Sequence, residues 1–366
     1  MDTTNMLTKL LILIITLNII LFADEPWFRF IEENNNSELI GFKNREGKVM
    51  IEPKFITFMV ANRFDNIMAV IEDKNESYDA YYLLKSGKKV AHDSLYMFDN
   101  TPDCESEGYI RFQDKNTTLV GMLNSEGEAI IPTEYNALTP IKNGMIVALK
   151  GAKKSYLDKH KNSCNHFSFV GGKRYLLDKN NKILIQDFNG SSELNFFSLK
   201  ITKSALNEKN RENFLGVDGQ YYSFINYEKE FKTWFFKELV KDFSKEKFLS
   251  VVAKKVIYWD EKDGWKAIEN QKFVNQNFDV VKKLFNYVQK KDAKYFIGSE
   301  SFMIKPLSEF ELYFNSCLDL EVSKYPQYAI VITYNKGFGE QDSFSFLKTE
   351  NGYKLVNVTL KTKIKK

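Results

Sequence analysis

Cysteine is scarce in this sequence: the 366 residues include only Cys104, Cys164 and Cys317. Proteins that rely on disulfides in place of a large core need several paired cysteines at short spacings, so that class is excluded. Two states of the cysteines stay open. Either one disulfide forms and one thiol is left over, or all three thiols are unpaired and mostly buried.

An excess of charge of one sign is also missing. The 52 basic and 48 acidic residues are interspersed and leave a formal net charge of +4. This balance gives no global field that would draw the chain onto nucleic acid, so we expect no nucleic-acid partner. The C-terminal tail is a local exception, which we interpret as a solvated end; contact with anionic lipid or surface polymer is a weaker alternative. Its cations are Lys361, Lys363, Lys365 and Lys366.

The sequence lacks the motifs of nucleophilic catalysis and phosphate binding. It contains no Gly-x-Ser-x-Gly, and Gly337-Phe338-Gly339 lacks the third glycine of a dinucleotide-binding turn. We therefore predict that the protein is not an enzyme, and that it has no catalytic residues and no cofactor.

Histidine is rare as well, and two of the three histidines fall in one short segment with a cysteine: His160, Cys164 and His166. A metal site needs imidazole and thiolate donors that converge, and no fourth ligand is apparent nearby. We interpret the segment as a polar loop and predict no metal site.

Long apolar runs are missing except at the N-terminus, where residues 10–22 are interrupted only by Thr16 and Asn18. A run of this length is typical of a signal-peptide core and is too short to cross a bilayer comfortably. We predict a signal peptide over residues 1–23, cleaved after Ala23, no transmembrane span in the mature chain, and a periplasmic or secreted location. Leu21 stands where signal peptidase favours a small residue, so an uncleaved anchor is the alternative.

Aromatic residues, in contrast, are plentiful, with 31 Phe and 19 Tyr. Their large rings suit half-buried pleated surfaces, which favours β-sheet. Glycines also recur at a fixed spacing, because Gly47, Gly87 and Gly127 are each 40 residues apart. A fixed period in this range is typical of repeat proteins.

Each repeat has the pattern of a β-hairpin. A short apolar strand opens at Gly41 or Gly121 and runs into a polar turn that closes on one of the three periodic glycines, since glycine adopts a positive φ without steric cost. The return strand is expected to end at Pro53 or Pro132, because proline has no N–H to donate to the ladder. A weaker fourth copy carries Asn181 at the turn, and residues 216–219 suggest the remnant of a fifth.

This pattern resembles the bacterial WG-repeat family, also called KWG repeats. The resemblance is carried by residues 41–55 and 121–135 and in part by residues 81–90. The family's tryptophan is replaced, since Ile40 and Val120 precede the opening glycines. The resemblance implies a repeat scaffold that mediates binding, and it supplies no catalytic residues.

From about Tyr227 the hydrophobic period changes from two residues to 3.6, which predicts helices. Three are expected, the second capped by Ser244 and reaching Val256, and strands follow them at residues 328–334, 343–347 and 352–360. Asn351-Gly352 is a strong hairpin signal. This closing hairpin resembles the end of bacterial NTF2-like domains, a fold that would imply a small pocket between helices and sheet.

The sequence therefore predicts a mainly β protein, with antiparallel β-hairpin repeats over residues 24–226 followed by an α+β domain, helices and then an antiparallel sheet, over residues 227–366. We expect an exported, non-enzymatic binding protein whose repeats contact a protein or an envelope polysaccharide. The alternative is a small-molecule site in a pocket of the C-terminal domain.

Three segments resemble the acidic-extended N-glycosylation sequon of some bacteria, and they predict modification at Asn35, Asn75 and Asn116. The sequence does not determine the identity of the partner or the oligomeric state.

Overall fold

A computed structural model describes residues 25–34, 37–57, 60–74, 77–98, 100–156, 167–260, 263–300, 308–333 and 341–361. The predicted signal peptide, Asn35, Asn75, and the segment with His160, Cys164 and His166 lie outside these residues. The fold is mainly β and is built from several antiparallel sheets with few helices, as the sequence predicted.

The chain divides into two compact units. The first comprises Met1–Asn189 together with Asn315–Leu318, and the second comprises Gly190–Phe314 and Asp319–Lys366. This division differs from the expected boundary at residues 226/227, because the last strands of the expected repeat region belong to the second unit. It also differs in that a short stretch of the C-terminal region belongs to the first unit.

Within the described residues, the first unit contains three sheets and a small hairpin. A seven-stranded sheet has the order β4-β1-β2-β3-β5-β6-β7 and contains β1 (Trp27–Asn34), β2 (Ser37–Lys43), β3 (Val49–Ile56), β4 (Arg63–Phe64), β5 (Ile67–Asp73), β6 (Tyr78–Leu84) and β7 (Lys89–Val90). The hairpin pairs β8 (Met97–Phe98) with β9 (Thr101–Pro102). A three-stranded sheet contains β10 (Ile110–Gln113), β11 (Val120–Leu123) and β12 (Ala129–Tyr135). A four-stranded sheet contains β13 (Ala137–Leu138), β14 (Met145–Tyr156), β15 (Phe167–Asp178) and β16 (Ile183–Gln186).

The second unit opens with a three-stranded sheet of β17 (Leu194–Thr202), β18 (Arg211–Leu215) and β19 (Tyr221–Asn226). Helices α1 (Tyr227–Trp234), α2 (Lys245–Val251) and α3 (Asn270–Tyr287) follow, with a π-helical turn at Phe235–Leu239 and a 3-10 turn at Ser308–Tyr313. A six-stranded sheet contains β20 (Val252–Asp260), β21 (Gly264–Glu269), β22 (Tyr295–Glu300), β23 (Gln327–Thr333), β24 (Gln341–Thr349) and β25 (Gly352–Thr359). Its order is β21-β20-β25-β24-β23-β22.

Two expectations for the second unit need correction. The second helix does begin after Ser244, whose side chain accepts a hydrogen bond from the Lys247 amide, but it ends at Val251 rather than continuing to Val256. Val252 already belongs to β20, since Val252 and Val256, four residues apart, share a face in a strand as well as in a helix. The sheet is also not purely antiparallel, because β20 pairs in parallel with β25.

The prolines of the repeats do not end their strands. β3 continues through Pro53 and β12 continues through Pro132. In β3 the ladder shifts register at this point, because Ile51 pairs with Phe42 and Phe55 pairs with Ile40. The proline therefore lies in a bulge, where a missing N–H costs no ladder hydrogen bond.

Candidate functional site

The predicted turn glycines all lie where the backbone requires them. Gly47, Gly87 and Gly127 have φ values of 85°, 87° and 76°. In each turn the glycine N–H donates to a carbonyl three residues earlier, at Asn44, Leu84 and Asn124. Asn181 and Gly219 make the same bond to Asp178 and Gly216. The first unit and the start of the second unit thus share one turn geometry.

The opening glycines have a different role from the turn glycines. A Cβ on Gly41 would lie 2.7 Å from the Ile51 carbonyl oxygen and 2.8 Å from the Phe30 ring. A Cβ on Gly121 would lie 2.5 Å from the Ile131 carbonyl oxygen, and it would also meet the Phe112 ring at 2.7 Å. Both glycines make room for the proline bulge of the return strand and for an aromatic ring of the preceding strand. The predicted glycines and prolines are therefore scaffold residues.

The hairpin of β14 and β15 provides an exposed surface. Its outer part, residues 150–156 and 167–174, is here called the outer ribbon. It carries five cations and no carboxylate: Lys150, Lys153, Lys154, Lys173 and Arg174. Most of its side chains are exposed, including those of Tyr156 and Phe167.

Register places lysines and aromatic rings on one face of the outer ribbon. Lys150 pairs with Lys173, Lys154 with Phe169, and Tyr156 with Phe167, and alternate residues of a strand point the same way. The Tyr156 and Phe167 rings are 5.9 Å apart, and the Phe167 and Phe169 rings are 5.2 Å apart. Between the two lysine-bearing rows, Ala152 pairs with Gly171, so only small side chains lie there.

Two of these lysines have carboxylate neighbours outside the ribbon. The Lys150 ammonium forms an ion pair with the Glu134 carboxylate, and the Lys173 ammonium lies 4.0 Å from the Asp187 carboxylate. Lys154 instead donates to the Thr118 hydroxyl and lies over the Phe167 ring at 4.5 Å. Lys150 and Lys173 are therefore partly compensated by carboxylates of the protein, whereas Lys154 has a neutral hydroxyl as its hydrogen-bond partner.

The most engaged carboxylate of the first unit is Glu72. Burial alone raises the pKa of Glu72, but hydrogen bonds from Lys74, Lys89 and the Tyr81 hydroxyl outweigh this effect and lower the pKa to about 2. A group with this pKa is charged at neutral pH and does not exchange protons there. The cluster stabilises the β5–β6 hairpin, and this contribution is lost as the pH falls from the ordinary carboxyl range towards 2.

The segment that follows β9 forms hydrogen bonds with two neighbouring repeats. The Glu105 carboxylate accepts hydrogen bonds from the Asn66 and Ile67 amides, whereas the Glu107 carboxylate accepts from the Asn143 and Gly144 amides. Burial raises the pKa of Glu105 despite these bonds. Each carboxylate caps a turn of a different repeat, so this segment fixes the repeats against each other.

One disulfide lies in the first unit and joins Cys104 to Cys317. Of the two states left open by the sequence, the structure therefore contains the bridged one. Beside it, Arg111 and Asp103 form a partly buried ion pair, and the Arg111 guanidinium also donates to the Leu138 carbonyl.

The space between helices and sheet in the second unit is filled by aromatic side chains. Phe231 stacks on Tyr328 at 5.0 Å, and Phe285 meets Phe344 at 5.0 Å. Phe235 and Phe346 are also fully buried there. A depression of about 700 Å³ lies at the end of α3 beside Phe236, Lys290 and Tyr295, and it is open to solvent.

No cluster of three potential metal ligands occurs in the part of the chain that the structure describes. Within the same residues, no helix is long and apolar enough to cross a membrane.

Residues 121–153 match the family model described as WG containing repeat. The match begins at Gly121, includes β12 and β13, and ends within the outer ribbon at Lys153. No curated protein and no solved structure matches the chain. The match supports a WG repeat in this segment, where the sequence pattern had predicted one.

Sequence reasoning did not identify the outer ribbon. Its lysines and aromatic residues are spread over two strands separated by ten residues, so they form no motif in the sequence. The signal that was available is the absence of acidic residues from both stretches.

Proposed function

We propose that this chain is an exported, non-enzymatic binding protein that holds an acidic polysaccharide of the cell envelope on its β-repeat unit. The observation that carries the proposal is the outer ribbon, one exposed face of which carries both lysines and aromatic rings. The WG repeat match includes the first strand of this hairpin up to Lys153. Repeat arrays offer extended surfaces of this kind for binding.

The chemistry of the outer ribbon favours an acidic polysaccharide. Lysine ammonium groups pair with carboxylates, while the apolar faces of sugar rings pack on aromatic rings. The glycines Gly151, Gly171 and Gly172 leave the middle of the ribbon without bulky side chains, so an extended polymer can lie across it. Because the outer ribbon carries cations and no carboxylate, two copies of the chain would repel each other if they met through this face.

Three further features support an exported protein. The N-terminal apolar run has the length of a signal-peptide core, and we propose cleavage after Ala23 and a periplasmic or secreted location. The Cys104–Cys317 disulfide fits an oxidising compartment. The exposed position of Asn116 fits the proposal that this sequon is glycosylated.

We also propose that the repeat extends on both sides of the matched segment and that the second unit is NTF2-like. The shared turn geometry at residues 44–48, 84–88 and 178–182 supports the first point. The packing of helices on one side of a six-stranded sheet supports the NTF2-like assignment of the second unit. A small-molecule site in this unit, the alternative function, would have to use the open depression beside Phe236, since aromatic rings occupy the interior.

The test compares two triple variants of the full mature chain for binding to isolated envelope polysaccharide. Lys150→Gln, Lys154→Gln and Lys173→Gln together remove the three lysines of this face of the outer ribbon. Lys272→Gln, Lys282→Gln and Lys283→Gln remove three exposed cations from α3 and serve as the control.

We expect the ribbon variant to bind at least about tenfold more weakly at low salt, because each lost contact is a screened ion pair, and the control to match the parent chain. Binding by the parent chain should weaken as salt is raised. Equal losses in the two variants, or stronger retention of a nucleic acid than of the polysaccharide, would contradict the proposal.

A further inference from the structure

A cavity of about 330 Å³ opens in the first unit. Its volume corresponds to about ten water molecules, and it is at the lower end of the range for small-molecule sites. β1, residues 57 and 60–62, β5, β9 and the segment around Cys317, here called the disulfide segment, all contribute to its wall. The polar lining residues are Arg29, Thr57, Asn62, Thr101 and Asp103, and the apolar ones include Val60, Ala69 and Pro102.

Arg29 is the residue of this cavity with unused binding capacity. Its side chain is only partly exposed, and within the described residues its guanidinium makes one hydrogen bond, from Nη1 to the Asn62 amide oxygen at 3.2 Å. Among the residues that the structure describes, no carboxylate lies within ion-pair distance of Arg29. A guanidinium has five N–H donors, so most of its fork is free for a ligand.

Asn62 holds Arg29 in place. Its backbone carbonyl accepts from the Arg29 amide at 3.1 Å, its side-chain amide donates to the Cys317 carbonyl at 3.3 Å, and its own amide donates to the Ser316 carbonyl at 2.9 Å. Asn62, which accepts from the guanidinium, is therefore bonded both to the backbone of β1 and to the disulfide segment. An arginine fixed in this way loses little conformational entropy on binding.

The charges in the wall select the class of ligand. Asp103 also lines the cavity, but Arg111 neutralises it through a bidentate ion pair. One cation thus remains uncompensated, which suits a singly charged carboxylate better than a doubly charged phosphate. The Thr57 hydroxyl already donates to the Glu38 carbonyl and can still accept from a ligand hydroxyl, and Thr101 brings a second hydroxyl to the wall.

We propose that this cavity binds a small hydroxylated carboxylate, such as a sugar acid, with the carboxylate on the fork of Arg29. The carboxylate belongs either to a free acid or to the end of an acidic oligosaccharide. The site is separate from the outer ribbon and does not depend on the function proposed for it.

The experiment is calorimetric titration of the full mature chain with glucuronate, glucose, inorganic phosphate and a short oligogalacturonate. We expect glucuronate to bind at least about tenfold more tightly than glucose or phosphate, because only it completes a charge-assisted pair with one compensating charge. The oligosaccharide is titrated into the ribbon variant, which lacks the proposed polysaccharide face. If it binds this variant as tightly as glucuronate does, the source is a glycan end; if it does not bind, the source is the free acid.

Three variants locate the site. Arg29→Gln should weaken glucuronate binding about tenfold or more, and Arg29→Lys should give an intermediate loss, since it keeps the charge but not the fork. Arg45→Gln removes an exposed cation of the same unit and is the matched control, expected to stay within about twofold of the parent. If Arg29→Gln does not fold, the glucuronate affinity of Arg29→Lys tests the site instead, and an affinity equal to that of the parent chain contradicts the proposal.

Two results would overturn the proposal. One is the absence of glucuronate binding at millimolar concentration while the chain is folded. The other is an equal loss of binding in Arg29→Gln and Arg45→Gln. The lysine variants test polysaccharide binding to the outer ribbon, whereas the Arg29 variants test the cavity. Either proposal can therefore be contradicted without affecting the other.

Discussion

At the scale of single residues, the repeat depends on two kinds of glycine that serve different needs. The turn glycines adopt a positive φ, which side chains with a Cβ rarely do. Gly41 and Gly121 have no such φ; they are glycine because the bulge carbonyl and an aromatic ring occupy the place of a Cβ. Phe30 and Phe112 are their direct cross-strand partners.

We expect Gly121→Ala to destabilise the protein by about 1–3 kcal/mol, the typical cost of overpacking. The Cβ would meet the Ile131 carbonyl oxygen at 2.5 Å, and backbone cannot give way as a flexible side chain can. Urea unfolding of the full chain measures the change. Gly298→Ala is the control, since its Cβ would meet only the Phe296 ring, at 3.3 Å and 3.6 Å; an equally small effect of both substitutions would refute the explanation.

At the scale of elements, hydrophobic period and turn chemistry predicted most hairpins and helices. The hairpin at Asn351-Gly352 is present, and Gly352 has a φ of 85°. The errors share one cause. Proline bulges and the early start of β20 depend on the partner strand, and a local pattern carries no information about that partner.

The turn between β10 and β11 exposes Asn116 to solvent, which allows the proposed glycosylation to be tested. We expect the intact mass of the chain from its native host to exceed the unmodified mature mass by at least one glycan, and Asn116→Gln to remove one such increment. Asn180→Gln, at an exposed turn position without a sequon, should leave the mass increment unchanged. A native mass equal to that of the unmodified chain would rule the modification out.

At the scale of the whole molecule, the two units divide the chain in a way that sequence order does not show. Asn315–Leu318 belongs to the first unit although it lies deep in the C-terminal region. The Cys104–Cys317 bond spans 213 residues of sequence. Spacing could not have identified this pair, because a disulfide needs proximity in the fold and not along the chain.

Reduction of this bond, or Cys104→Ser together with Cys317→Ser, should lower the free energy of unfolding by about 2–4 kcal/mol, mainly because the unfolded chain gains freedom. Thiol titration of the denatured, unreduced protein should find one free thiol. Cys164→Ser is the control and should not change the unfolding midpoint. Three titratable thiols before reduction would contradict the pairing.

The sequence by itself determined the mainly β class, the WG-like hairpin at residues 121–135, the turn glycines and the helical region, because these features depend on local period and local φ. Tertiary structure alone decided the unit boundary, the disulfide, the cavity around Arg29 and the lysine face of the outer ribbon. Each of these brings together residues distant in sequence, and their contacts arise only when strands pair and pack.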